Sequence, residues 1–239
     1  MMFYIVSLAV VLVVLFVSLE LLDRPLEAMF LKALASFGFI MVFAYAFYQY
    51  FNASYESIWP ISSDTIGIKV AVLFLLGLVA GLIGDLILAL RPLQKKEVES
   101  AIIIAGIVAF SIGHVFYYSG LLVIHEFNVI PILFALAITL SIYITGKRLS
   151  FEMGRAEIPV LIYSFLIFLM VGQAIVTGIF LGFDAHMAVL STGAVLFAVS
   201  DAILAFIYFR RDHRKPMVIL NLSTYYAAQL LIALSFYFL

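Results

Sequence analysis

Two aspartates stand within otherwise apolar runs, Asp85 in "GLIGDLILAL" and Asp201 in "GAVLFAVSDAILAF". An uncompensated charge in a bilayer interior costs several kcal/mol on most scales, so an intramembrane acid is by default a functional group with a partner to be found. Sliding one run along the other aligns "GDLILAL" with "SDAILAF" at a shift of 116 residues. At that shift Gly77 meets Gly193, Val79 meets Val195, and Ile87, Leu88 and Ala89 meet Ile203, Leu204 and Ala205. If the two runs face one another, the carboxyls form a pair in which one holds a proton beside an ionised neighbour. That arrangement serves acid/base hydrolysis. The plainer reading is that each acid hydrogen-bonds neighbouring helices as polar glue.

Other polar groups inside the apolar runs are few. His114, in "SIGHVFYYSG", is the only histidine well inside a run, and a buried histidine serves either as a proton carrier or as a structural residue. His125, His186 and His213 fall in loops or at run ends. Asp85, Asp201 and His114 are also metal-ligand types, but no close-spaced pair such as HxxxH accompanies them. Lys32, in "FLKAL", either snorkels to the interface or meets a lipid phosphate. Tyr225, Tyr226 and Gln229, in "TYYAAQLL", sit mid-run where phenol and amide groups need partners. Tyr117 and Tyr118 fit either the same site or an interfacial aromatic belt.

The elements that position these groups follow from composition. Of 239 residues 66% are hydrophobic and 11% charged, and the mean hydropathy is +1.23. Such a chain is an integral membrane protein, and its continuous apolar runs exclude alternating barrel strands. Polar punctuation leaves eight runs, each long enough to span: roughly Phe3 to Leu22, Phe30 to Tyr50, Ile66 to Leu90, Ser100 to Gly120, Val129 to Gly146, Ile158 to Phe180, His186 to Phe209 and Met217 to Phe238. The expected fold is therefore an all-α, eight-span helical bundle. The run from Met2 to Leu22 lacks a basic n-region and a small-residue cleavage site, and reads as a retained first span. The absence of cysteine excludes disulfides, thiolate metal sites and a cysteine nucleophile.

Arg24, Arg91, Lys95, Lys96, Lys147, Arg148, Arg155, Arg210, Arg211, Arg214 and Lys215 all fall in odd-numbered loops, and the even loops hold no lysine or arginine. The positive-inside rule places the odd loops in the cytoplasm and both termini outside, as in an inner or plasma membrane. Six prolines, at 25, 60, 92, 131, 159 and 216, lie at run ends or in loops, so no span is broken in its middle. A shift of 116 residues covers four spans, which predicts a parallel 4+4 repeat with halves 1–120 and 121–239 in one transmembrane domain. At 1.5 Å per residue, Asp85 lies about 9 Å along its helix from Arg91 and Asp201 about 13 Å from Arg210, both in the cytoplasmic half of the membrane.

"GLIGDLILAL", "IGHVFYYSGLL", "GAVLFAVSDAILAF" and "STYYAAQLLIALS", in this order in an eight-span chain, resemble the YhhN family, the lysoplasmalogenases. The resemblance implies hydrolysis of the vinyl ether bond of lysoplasmalogens to a fatty aldehyde and a glycerophospho-base. It implies the family's acids at Asp85 and Asp201, its lysine at Lys32 and its histidine at His114, with Tyr225 and Gln229 in its last motif. The catalytic residues expected are Asp85, Asp201 and His114, and the substrate-binding ones Lys32, Tyr117, Tyr225, Tyr226 and Gln229. The chain departs from the family pattern at Ala33, where proline is frequent, and in a longer interval between Asp85 and His114. A lysophospholipid and bilayer lipids are the partners expected, with no cofactor, no metal and no nucleic acid. Two other classes stay open: a proton-coupled secondary transporter, against which the unbroken spans count, and a non-catalytic lipid-binding membrane protein.

Overall fold

The computed structural model describes the backbone of residues 1–56, 62–210 and 214–239 and the side chains of 1–52, 65–210 and 214–239. Pro60, Arg211 and His213, which the sequence places in loops, lie outside the described residues. Among the described residues there are eight long helices and no strand: α1 (Met2–Leu21), α2 (Pro25–Glu56), α3 (Ser62–Ala89), α4 (Lys96–Ile124), α5 (Ile130–Arg148), α6 (Glu157–Leu181), α7 (Ala185–Phe209) and α8 (Lys215–Ser235). All eight are long and apolar enough to cross a membrane, and the protein is a multi-pass membrane protein.

Several helices overrun the apolar runs, most of all α2, which begins at Pro25 and not near Phe30. The apolar run starts after Glu27, whereas the helix extends back through it, because its carboxylate pairs with Arg24 and leaves the backbone ladder undisturbed. Proline opens α2, α5 and α8, where its missing N–H costs no hydrogen bond. Asp184 caps α7 by accepting from the Met187 N–H at 2.8 Å.

Six helices close a ring in the order α2, α3, α4, α6, α7, α8, with α8 returning to α2. Outside it, α1 packs on α2 and α5 on α6. The ring interior is filled by large apolar side chains, among them Phe39, Phe74, Leu78, Phe197, Met170 and Ile232. Close approach of the helices depends on small residues at the contacts, as is usual where lipid supplies no hydrophobic drive. A Cβ on Gly113 would lie 3.1 Å from the Gly77 carbonyl, and one on Gly193 3.0 Å from the Ala228 carbonyl. Asp85 on α3 and Asp201 on α7 come from opposite sides of this ring.

Candidate functional site

On α3, Gly77, Gly81 and Asp85 are spaced by four and form one stripe. A Cβ on Gly77 would meet the Tyr117 ring at 2.3 Å, and one on Gly81 would meet Gln229 Nε2 at 2.6 Å. The glycines thus admit the polar side chains that surround the Asp85 carboxyl, which is 2% exposed.

Asp85 has an ion-pair partner that its own run does not reveal. Lys32 Nζ lies 3.3 Å from Asp85 Oδ1. The Ser36 and Tyr225 hydroxyls donate to Oδ2 at 2.7 and 2.6 Å. Behind them, the Tyr226 hydroxyl lies 3.2 Å from Ser36 Oγ, Gln229 Nε2 donates to Tyr225 Oη at 3.2 Å, and Tyr117 Oη donates to Gln229 Oε1 at 3.0 Å. With Ser36 committed to the carboxylate, the Tyr226 hydroxyl donates to it, so every donor in the cluster points towards Asp85. Such convergence, with an ammonium beside it, matches a carboxylate.

Asp201 is held differently. Tyr163 of α6 donates to its Oδ2, and no ion pair forms at Asp201 among the described residues. His114 is 1% exposed and lies behind Tyr163, with Nε2 3.3 Å from Tyr163 Oη and Nδ1 3.5 Å from Met170 Sδ. The expected contact of His114 with the acids is therefore indirect, through one phenol.

Both carboxyls line one cavity of about 410 Å³ between α1, α2, α3, α4, α7 and α8. No hydrogen bond joins them; both face the shared space. Lys32 and Tyr225 line this cavity with them, as do Glu20, Arg91, Lys96, Ser200 and Asn221. Arg91 pairs with Glu99 at 2.7 Å and its guanidinium lies 4.4 Å from the centre of the Tyr208 ring. Asn221 donates to the Ser200 carbonyl at 2.8 Å, tying α8 to α7 one residue before Asp201.

Of the residues expected to bind substrate, Tyr117, Tyr226 and Gln229 do not line this cavity. They are buried, and their hydrogen bonds lead to Tyr225 and Ser36. Tyr117, at 2% exposure, is no belt residue, because the Gly77 gap takes its ring inside the bundle. Lys32 does not snorkel: Asp85 engages it on the cavity wall. Ser36 and Tyr163, the direct partners of the acids, were not singled out from sequence; a lone mid-span hydroxyl is their only signal. No group of three or more histidine, aspartate or glutamate side chains gathers in metal-binding geometry among the described residues.

The profile of the YhhN family matches residues 57–236, which takes in both aspartates, His114 and the Tyr225 motif but not Lys32 or Ser36. Comparison with curated proteins and with solved structures finds no match. With three quarters of the chain matched, from the end of α2 to the end of α8, the protein belongs to the YhhN family.

Proposed function

We propose that this protein is a membrane hydrolase that cleaves the vinyl ether bond of lysoplasmalogen-type lysophospholipids. Membership of the YhhN family supports a lysoplasmalogenase-like reading. The observation that carries it further is the unequal setting of two carboxyls on one cavity: Asp85 with a cation and two donors, Asp201 with one phenol and no cation. A pair of acids placed in different environments is the usual basis for dividing acid and base roles.

In this reading Asp201 carries the proton, since no cation pairs with it among the described residues, and gives it to the β-carbon of the vinyl ether. The α-carbon becomes an oxocarbenium ion, which the Asp85 carboxylate stabilises across the cavity. Water adds to that carbon, and its proton passes to a carboxylate. The resulting hemiacetal breaks its C–O bond to give the aldehyde and the glycerol hydroxyl. No external oxidant or metal is needed for the balance. Tyr163 and His114 act as positioning residues for Asp201, while Ser36, Tyr225 and the groups behind them hold Asp85.

We also propose that halves 1–120 and 121–239 are the two copies of the repeat. The packing pairs support this: α1 on α2, α2 on α3 and α3 on α4 are matched by α5 on α6, α6 on α7 and α7 on α8, and α4 on α6 by α8 on α2. The function is tested by mass spectrometry of products after incubating purified protein with vinyl ether, alkyl ether and acyl lysolipids. Aldehyde from the vinyl ether lipid alone is the expected result. Proton-coupled uptake into proteoliposomes without hydrolysis would replace the hydrolase with a transporter, and binding without either would leave a lipid-binding protein.

A further inference from the structure

A second cavity, of about 260 Å³, lies between α4, α5, α6 and α7 and shares Leu88, Phe110, Asp201, Leu204 and Tyr208 with the first. The two cavities differ in chemistry. The first carries Lys32, Arg91 and Lys96 beside Glu20, Asp85, Glu99 and Asp201 on its wall, whereas Asp201 is the one charged side chain on the second among the described residues. Asp201 is the one carboxylate common to both linings. Its partner Tyr163 lies on the second.

The second cavity is also reachable from the side. Ser141 and Thr145 on α5 and Ala202 on α7 line it and are exposed. There α5 packs on α6 and makes no comparable contact with α7. Its floor is the segment carrying Phe151 and Met153, which a backbone hydrogen bond from the Glu152 N–H to the Phe209 carbonyl, 2.9 Å, fixes to the end of α7.

We propose that the second cavity is the binding site for the aliphatic chain of a single-chain phospholipid whose phosphate end occupies the first cavity. This rests on the lysolipid reading above and assigns its two ends. An apolar wall with no cation cannot compensate a phosphate, and a cavity whose wall carries three cations and four carboxylates is a poor place for hydrocarbon. Bilayer hydrocarbon is as apolar as the cavity, so entry of the chain gains little by transfer. The gain is positional: with the chain on one side and the phosphate on the other, the bond between them lies at Asp201.

The test uses full-length protein in nanodiscs and an acyl lysophosphocholine carrying a diazirine near the chain end, which needs no ether hydrolysis to report. After photolysis, cross-links competed by unlabelled lysophosphocholine should map to residues 141–168. Thr145→Trp and, separately, Ala202→Trp, both at exposed positions of the lining, should remove most of the competed cross-link. Competed cross-links on α1 or α2, or only uncompeted ones, would overturn the chain site even if vinyl ether hydrolysis is found. Competed cross-links at 141–168 in a protein that hydrolyses no lysolipid would uphold the chain site and remove the hydrolase reading.

Discussion

Lys32 Nζ and Asp85 Oδ1 lie 3.3 Å apart at the wall of the polar cavity, so the lysine of α2 is the counter-ion of the acid on α3. Both side chains are largely withdrawn from solvent, at 12% and 3% exposure. Burying either charge alone is costly, and removing one partner of such a pair typically destabilises by about 3–5 kcal/mol because the other is left uncompensated. The ion pair therefore bears on folding as well as on chemistry.

Lys32→Met should lower Tm in detergent, whereas Lys32→Met combined with Asp85→Asn should recover much of the loss. Thermal unfolding of the four proteins of this cycle measures the coupling directly. Additive losses would mean that the two charges do not depend on one another. In activity, Lys32→Met should lower kcat more than it raises KM, since the lysine is the counter-ion of the carboxylate.

The stripe on α3 makes a separate claim. A Cβ on Gly77 would meet the Tyr117 ring at 2.3 Å, and that ring is buried with its hydroxyl tied to Gln229. Gly77→Ala should therefore cost about 1–3 kcal/mol, the range for overpacking a closed interior. Gly77→Ala with Tyr117→Leu should be less destabilised than Gly77→Ala alone. Equal melting temperatures for wild type and Gly77→Ala would show that Tyr117 moves freely.

Topology is tested with single cysteines, since the native chain has none. Glu126 and Lys95 are both exposed, the first between α4 and α5 and the second between α3 and α4. A cysteine at 126 should react with an impermeant maleimide outside intact cells, and one at 95 only after lysis, as the distribution of basic residues requires. Reversed labelling would invert the protein and with it the side on which the polar cavity opens.

Eight spans were legible because each apolar run is long enough to span a bilayer, and the likeness of the two acid-bearing runs pointed to two acids on one cavity. What the sequence hid was how each acid is satisfied. The pairing of Asp85 with Lys32 joins two runs, and Lys32 alone reads as an interfacial lysine at the start of a span. Ser36 and Tyr163 look like any mid-span hydroxyl until the ring of helices brings them to a carboxyl. The aligned runs suggested equivalent acids, but their neighbours are a cation on one side and a phenol on the other. That asymmetry comes from α2 and α6, where no similarity was visible.

Tyr163 separates Asp201 from His114, with Nε2 of the histidine 3.3 Å from the phenol oxygen. If both position Asp201, Tyr163→Phe should lower kcat and displace the pH profile while KM changes little. His114→Gln, which keeps a donor for the phenol, should retain more activity than His114→Leu. A profile unmoved by Tyr163→Phe would make both residues packing only.

The decisive prediction concerns the two acids together. In the proposed mechanism Asp201 is protonated and Asp85 ionised, so activity should fall on the alkaline side as Asp201 loses its proton and on the acid side as Asp85 gains one. The limbs of that bell belong to the pair. Asp85→Asn and Asp201→Asn should each reduce kcat by about 10²–10⁴, the range for loss of a general acid or base. The double variant should be scarcely worse than either, because groups acting as one unit are strongly non-additive. Near-normal turnover in either single variant would end the two-carboxylate mechanism. Asp85 would then be a structural partner of Lys32, and Asp201 a polar contact of Tyr163.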